Sequence, residues 1–176
     1  MEPHRRTRTI ALAPALALFT AASCANPPPL SDGEKFARVE QMSDDVARQF
    51  PDVETVTVAE VGRLLEAGSV VLVDAREARE REISWIPGAI TAEEYESDPD
   101  RYADRTVVAY CTIGHRSSVY AGRMTAEGRR VLNLRGSLLA WTHAGAPLVG
   151  PDGPTNRLHV YGQTWDLAPD RYETIW

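Results

Sequence analysis

Cysteine is scarce in this 176-residue chain. There are two, Cys24 and Cys111, so at most one disulfide can form. Positive charge is also in deficit. Nineteen Lys and Arg stand against 25 Asp and Glu, for a formal net charge of −6. That balance lacks the basic footprint of a DNA- or RNA-binding protein. The four histidines show no metal-ligand spacing. The one long apolar run near the start is too short to make a comfortable transmembrane helix. No internal repeat marks a solenoid. What remains is a globular composition, 43% hydrophobic and 25% charged, suited to one domain with one sizeable core.

The first residues read as an address rather than as fold. His4, Arg5, Arg6 and Arg8 form a basic n-region, and Ile10 to Ala22 is an Ala- and Leu-rich apolar core of signal-peptide length. Small residues, Ala21-Ala22-Ser23, then precede Cys24. The pattern resembles the lipobox of bacterial lipoproteins, although Ala21 stands where Leu is usual. It implies cleavage after residue 23, a lipid on Cys24 and a membrane tether for an exported protein. An ordinary secretory signal cut nearby is the alternative, and so is a disulfide from Cys24 to Cys111. The expected organisation is a signal peptide over 1–23, a Pro-rich linker over 24–30, a leading helix over 31–50, a main domain over 51–150 and a C-terminal extension over 151–176.

The leading helix follows from Phe36, Val39, Met42, Val46 and Phe50, which recur at three- and four-residue steps until Pro51 stops them. Short apolar strands and helices then alternate. Strands are expected at 55–58, 70–73, 106–110 and 131–134, with a short one near Ile90. Helices are expected at 59–67, with Val61, Leu64 and Leu65 inward, at 117–127 and at 136–144. The charged stretch 76–83 and the acidic stretch 92–103 read as helix or loop. Strands this short and wholly apolar imply an α/β fold with a mainly parallel central sheet and helices on both faces. The tail, with Val160, Tyr161, Trp165, Tyr172 and Trp176, is too aromatic for a linker. It is expected to pack on the domain, with one more strand near 158–161.

In such a sheet, ligands gather at the carboxyl ends of the strands. Asp74 and Cys111 each directly follow an apolar strand, which places both at one edge. After Cys111 comes Thr112-Ile113-Gly114-His115-Arg116-Ser117, a tight loop leading into a helix. Gly114 permits backbone angles that let the loop curl, so that N–H groups of Ile113 through Ser117 can face the sulfur. The helix start adds its positive end. Both effects favour a thiolate, the nucleophilic form of cysteine, and any negative charge carried beyond it. Arg116 is expected either to hold an incoming anion or to pair with an acidic neighbour and brace the loop.

These residues resemble the single-domain form of the rhodanese (thiosulfate sulfurtransferase) family over about 53–149. The resemblance lies in Val71-Leu72-Val73-Asp74-Ala75-Arg76, in Ile86-Pro87-Gly88-Ala89-Ile90, in Cys-x-x-Gly-x-Arg-Ser at Cys111 to Ser117, and in Gly136, Ala140, Trp141, Gly145 and Pro147. It implies that Cys111 accepts sulfane sulfur as a persulfide and passes it to a thiol or cyanide. Thr112 to Ser117 would form the binding loop, Asp74 and Arg76 would support it, and no metal or organic cofactor would be needed. The sequence departs from the family at Ser84-Trp85, where many members carry Gly-His. It departs again at Thr112 and Ile113, where some thiosulfate users carry basic residues. That second departure points towards persulfide or polysulfide donors. The phosphatase branch of the fold has a loop one residue longer. A non-enzymatic persulfide carrier or partner-binding module, and a structural lipoprotein with an inert cysteine, are the readings from other classes. His115 reads as an exposed loop residue, and His143 and His159 as surface or packing residues. The run 76–82 reads as a solvated face. Trp85 either lines the site mouth or packs beneath it.

Overall fold

Three helices open on the same device. Ser31, Thr57 and Thr91 each accept a hydrogen bond from the backbone N–H three residues on. Glu34, Glu60 and Glu94 reach back to the N–H of the capping residue. Each is a capping box written as Ser/Thr-x-x-Glu. The computed structural model describes residues 29–176. It runs α1 (Asp32–Gln49), β1 (Thr55–Val56), α2 (Val58–Glu66), β2 (Val70–Asp74), α3 (Ala78–Arg81), β3 (Ile90–Thr91), α4 (Ala92–Ser97), β4 (Thr106–Tyr110), α5 (His115–Ala126), β5 (Val131–Leu134), α6 (Ser137–His143), β6 (Leu148–Gly150), β7 (Gly153–Thr155), β8 (Arg157–His159) and β9 (Glu173–Ile175). Cys24 and the whole export segment lie outside the described residues.

Five strands form one sheet in the order β1-β5-β4-β2-β3, and every pairing in it is parallel. Successive side chains of a strand face opposite ways, and the core divides accordingly. Val70, Leu72, Val108, Tyr110, Leu132 and Leu134 face α1, α2, α6 and the tail. Val71, Val73, Val107, Ala109 and Val131 face α4 and α5 through Tyr95, Tyr120, Ala121 and Met124. This is the doubly covered α/β architecture expected from strands with no polar face. β4 is the central strand, so whatever follows Tyr110 emerges in the middle of the carboxyl edge.

Several boundaries differ from the sequence reading, each for a local reason. The strand expected over 55–58 ends at Val56, because Thr57 caps α2. Leu65 points to solvent, while Val61 is buried. The helix expected from Ser117 begins two residues earlier, at His115, directly after Gly114 at φ +115°. The stretch 76–82 is a solvated face only in part: Glu77, Arg79 and Glu82 are exposed, but Arg76 and Glu80 are both buried.

The tail is part of the core. Leu158, Val160, Leu167 and Ala168 belong to the same apolar cluster as the sheet. β8 pairs in parallel with β9, and β6 and β7 form a hairpin that the sequence did not suggest. Lys35 of α1 ties the tail down through the Ala168 carbonyl at 3.0 Å and Asp170 at 2.6 Å. Leu158 is fully buried, so Leu158→Ala should destabilise the whole domain by roughly 2–5 kcal/mol. A single urea transition moved to lower concentration is the expected result. A separate early transition would show that the tail unfolds by itself.

Candidate active site

β4 delivers Cys111 to the centre of the carboxyl edge, and the loop from Thr112 to Gly114 turns the chain back into α5. The loop's outer side is held by α6. The N–H groups of Leu138 and Leu139, free because they belong to a first helical turn, donate to the carbonyls of Cys111 and Thr112 at 3.2 and 3.1 Å. The Ser137 hydroxyl accepts the Cys111 N–H at 3.1 Å. These three bonds fix the backbone of Cys111 and Thr112 against the start of α6.

The Gly114 N–H donates to Sγ of Cys111 at 3.2 Å, and the Ser117 hydroxyl lies 3.5 Å from it. Of the amides expected to converge, those of Gly114 and Ser117 act on the sulfur. Cys111 is almost wholly buried, and burial alone pushes its thiol up. The Ser117 hydroxyl and amide, the Arg116 charge and the Gly114 amide outweigh that, and its pKa lies below the ordinary value.

Asn133 on β5 is a site residue the sequence reading missed. The Ser117 hydroxyl donates to its Oδ1 at 2.6 Å. That hydroxyl has one proton to give, and the shorter bond holds it. Half a turn of the Asn133 amide would let Nδ2 donate to Ser117 instead, freeing the proton for a thiolate. Asn133 also crowds Gly114, where an added Cβ would stand 3.2 Å from Nδ2. Gly114 is therefore required twice, by its positive φ and by this neighbour.

Arg116 shares its charge between the sulfur and an acidic partner. Its Nη1 and Nη2 bind Glu80 at 2.5 and 2.7 Å, and Nη2 also reaches Thr112 at 3.3 Å. Of the two roles expected for Arg116, the pairing with an acidic neighbour that braces the loop is present. Burial acts against both charges of the pair. The mutual hydrogen bonds prevail, lowering Glu80 and raising Arg116 from their ordinary values. The guanidinium also stacks over Tyr161, 5.1 Å from the ring centre.

Asp74 and Arg76 form a second, deeper pair. Nε and Nη2 of Arg76 bind the two carboxylate oxygens at 2.9 and 2.6 Å, and Nη2 continues to the Ser84 carbonyl at 2.6 Å. The Tyr110 hydroxyl donates to Asp74 at 2.7 Å and accepts the Ile86 N–H at 3.2 Å. These residues fix the strand end and the 84–86 segment, with no hydrogen bond to Cys111. Trp85 pairs its backbone with Val149 and borders a separate depression beside Asp74, so it does not line the mouth of the Cys111 site.

Cys111 opens into a cavity of about 500 Å³. Its loop-side lining includes Thr112, Ile113 and His115. His115 is exposed and sets its ring edge-on against Phe50, 5.1 Å between centroids. The opposite walls come from Met42 and Val46 of α1 and from Tyr161 and Trp165 of the tail. His143 packs elsewhere, with Nε2 2.8 Å from the Leu167 carbonyl. His159 is buried and accepts the Tyr161 N–H at 3.1 Å. Among the described residues no group of three or more His, Cys, Asp or Glu is placed to hold a metal ion.

With the Asn133 amide turned to free its proton, the Ser117 hydroxyl is the foremost of the groups that lower the thiol. Ser117→Ala should therefore move the midpoint of the alkylation rate against pH upward. Iodoacetamide modification near neutral pH should slow several-fold, with the limiting rate at high pH little changed. An unmoved midpoint would show that the hydroxyl does not act on the sulfur.

The rhodanese-like domain family matches residues 57–144, from the cap of α2 to the end of α6. A sulfurtransferase of Allochromatium vinosum is 38% identical over 96 residues, which cover 52% of this chain and 89% of that protein. An HTH-type transcriptional regulator of Mycobacterium tuberculosis is 36% identical over 127 residues, 64% of this chain and 56% of its own length. The crystal structure of a thiosulfate sulfurtransferase from Pseudomonas aeruginosa superposes with a TM-score of 0.53 at 25% identity. It covers 64% of this chain, which spans 23% of that larger one. Sheet order, cysteine loop and these matches agree: the chain belongs to the rhodanese-like domain family and has sulfurtransferases among its relatives.

Proposed function

We propose that this protein is an exported sulfurtransferase that carries sulfane sulfur as a persulfide on Cys111. The observation that carries the reading is the placement of one low-pKa sulfur at a cavity wall, with the Gly114 amide and the Ser117 hydroxyl beside it. The Cys111 thiolate attacks the outer sulfur of a donor R–S–SH. A new S–S bond forms, the old one breaks, and R–S⁻ leaves. An acceptor thiolate then attacks the outer sulfur of Cys111–S–SH, taking it as its own persulfide and restoring the Cys111 thiolate. With cyanide as acceptor the product is thiocyanate. No net oxidation occurs and no cofactor is required. The amides near the sulfur stabilise the negative charge that each half-reaction places there.

Thr112 to Ser117 act in this reading as the binding loop, and Arg116 braces it through Glu80. Asp74 and Arg76 are positioning residues. The export half of the proposal rests on the basic n-region, the apolar core and Cys24. The mature chain would begin at a lipidated Cys24 and hold the domain at the outer face of a membrane. The stiff Asn26-Pro27-Pro28-Pro29 spacer would set it off the surface.

Intact mass spectrometry tests both halves. After exposure to polysulfide, the protein should gain one sulfur at Cys111, and Cys111→Ser should gain none. Thiocyanate formation by Cys111→Ser should fall to background. Undiminished turnover in that variant would reject the proposal, and loading without turnover would leave a carrier instead of an enzyme. Protein recovered from membranes should lack residues 1–23 and bear diacylglycerol on Cys24. A free amino terminus without lipid would overturn the tether.

A further inference from the structure

We infer that the sulfur-bearing substrate of this site is an apolar organic thiol or its persulfide, rather than a small inorganic anion such as thiosulfate. The inference rests on the sulfurtransferase reading above and adds the chemical class of what enters. Three observations carry it. The first is size: a cavity of about 500 Å³ lies inside the ~300–1,000 Å³ range of sites that enclose whole organic ligands. The second is charge. Arg116 is the lining cation nearest the chemistry, and both its terminal nitrogens are bound by the fully buried Glu80. The pair is neutral as a unit, and Asp45 on the rim is already joined to Arg48. A doubly charged anion would meet only the Arg116 charge, already shared between Glu80 and the Cys111 sulfur, and the amides at the sulfur itself. Burying it would leave most of its charge unpaired.

The third observation is where the walls come from. Met42, Val46, Tyr161 and Trp165 all lie outside residues 57–144, the stretch the family shares. The domain alone would leave Cys111 at an open sheet edge. Here α1 and the tail enclose that edge with thioether, aliphatic and aromatic groups, beside Asp45 and Gln49 of α1. Tyr161 is held there at φ +70°, a conformation uncommon for a non-glycine residue. An R–S–S⁻ substrate fits both halves of the site. Its charge sits on sulfur against the Gly114 and Ser117 donors, and its R group lies against Met42, Val46, Ile113 and Trp165.

The test loads Cys111 with polysulfide, checks the gain of one sulfur by mass, and measures transfer to ethanethiol, propanethiol, butanethiol and 3-mercaptopropionate. Rates are compared at equal thiolate concentration. Transfer efficiency should rise about fourfold per added methylene, the worth of one buried CH₂ of roughly 0.8 kcal/mol. The carboxylate-bearing thiol should fall well below propanethiol. Val46→Asp should flatten the series. If that variant does not fold, Tyr161→Gly, at an exposed position with positive φ, should weaken the preference instead. Normal loading with a flat series, or equal use of 3-mercaptopropionate, would overturn the inference and leave the sulfurtransferase reading intact. Failure to load any sulfur on Cys111 would overturn that reading and the inference with it.

Discussion

The site depends on two hydrogen bonds at the start of α6. The N–H groups of Leu138 and Leu139 take the carbonyls of Cys111 and Thr112. With the bond from the Cys111 N–H to Ser137, they fix the backbone of Cys111 and Thr112 and so the start of the turn that brings the Gly114 amide to the sulfur. α6 can begin here, packed against α1, only because Gly136 has no side chain. A Cβ there would stand 2.6 Å from that of Ala140 and 3.0 Å from the Ser43 hydroxyl of α1. The next residue, Ser137, holds φ +47° and hydrogen-bonds the Cys111 N–H. A strained residue at this point costs on the order of 1–3 kcal/mol and persists because its surroundings over-determine it. The same glycine thus lets α6 start where its first amides meet the loop and lets α1 pack on α6. Loop geometry and cavity wall share one requirement.

Charge is organised as two nested pairs on adjoining strand ends. Asp74 with Arg76 is closed to solvent and tied to Tyr110 and Ser84. Glu80 with Arg116 is closed on the acidic side and partly open on the basic one. Buried ion pairs contribute little net stability against apolar replacements, but losing one partner strands a charge and costs several kcal/mol. Their consequence here is positional. The first pair joins β2 to the segment before β3, and the second joins α3 to the cysteine loop. Between them they make the carboxyl edge rigid across β2 and β4 without placing a free cation at the sulfur.

What the sequence made legible was local. Four apolar strands and the Cys111 loop announce themselves within a few residues, because strand burial and loop conformation are set by neighbours along the chain. The three capping boxes were equally local, and overlooking the one at Thr57 to Glu60 is why the first strand was read two residues too long. Glu80, Asn133 and Ser137 were not legible. They act on the loop across 36, 16 and 26 positions. Nothing in a charged stretch such as Glu77-Ala78-Arg79-Glu80 says which carboxylate will turn inward. Glu80 does so because α3 lays it beside Arg116. The tail was foreseen to pack, but not to place Leu158 and Val160 in the main core. A three-residue strand carries too short a pattern to reveal its partner, and β8 finds its own only after the chain has run on to β9.

The division between shared and added segments has a physical logic. A reactive sulfur needs its donors held to fractions of an ångström, which packed strands and the short helix α6 supply. Selection among thiols needs only surface of the right polarity at the right distance. Segments that dock against the finished domain can provide that without disturbing the loop. α1 is anchored through Val39, buried at the Gly136 gap, and the tail through Leu158, Val160 and Leu167, so each has a core-facing side independent of its cavity-facing one. Substitutions at Met42, Val46, Tyr161 or Trp165 can therefore alter what reaches Cys111 while the sulfur and its hydrogen bonds stay as they are. On the proposed reading, the chemistry would belong to the sheet edge and the choice of substrate to the two segments that close over it.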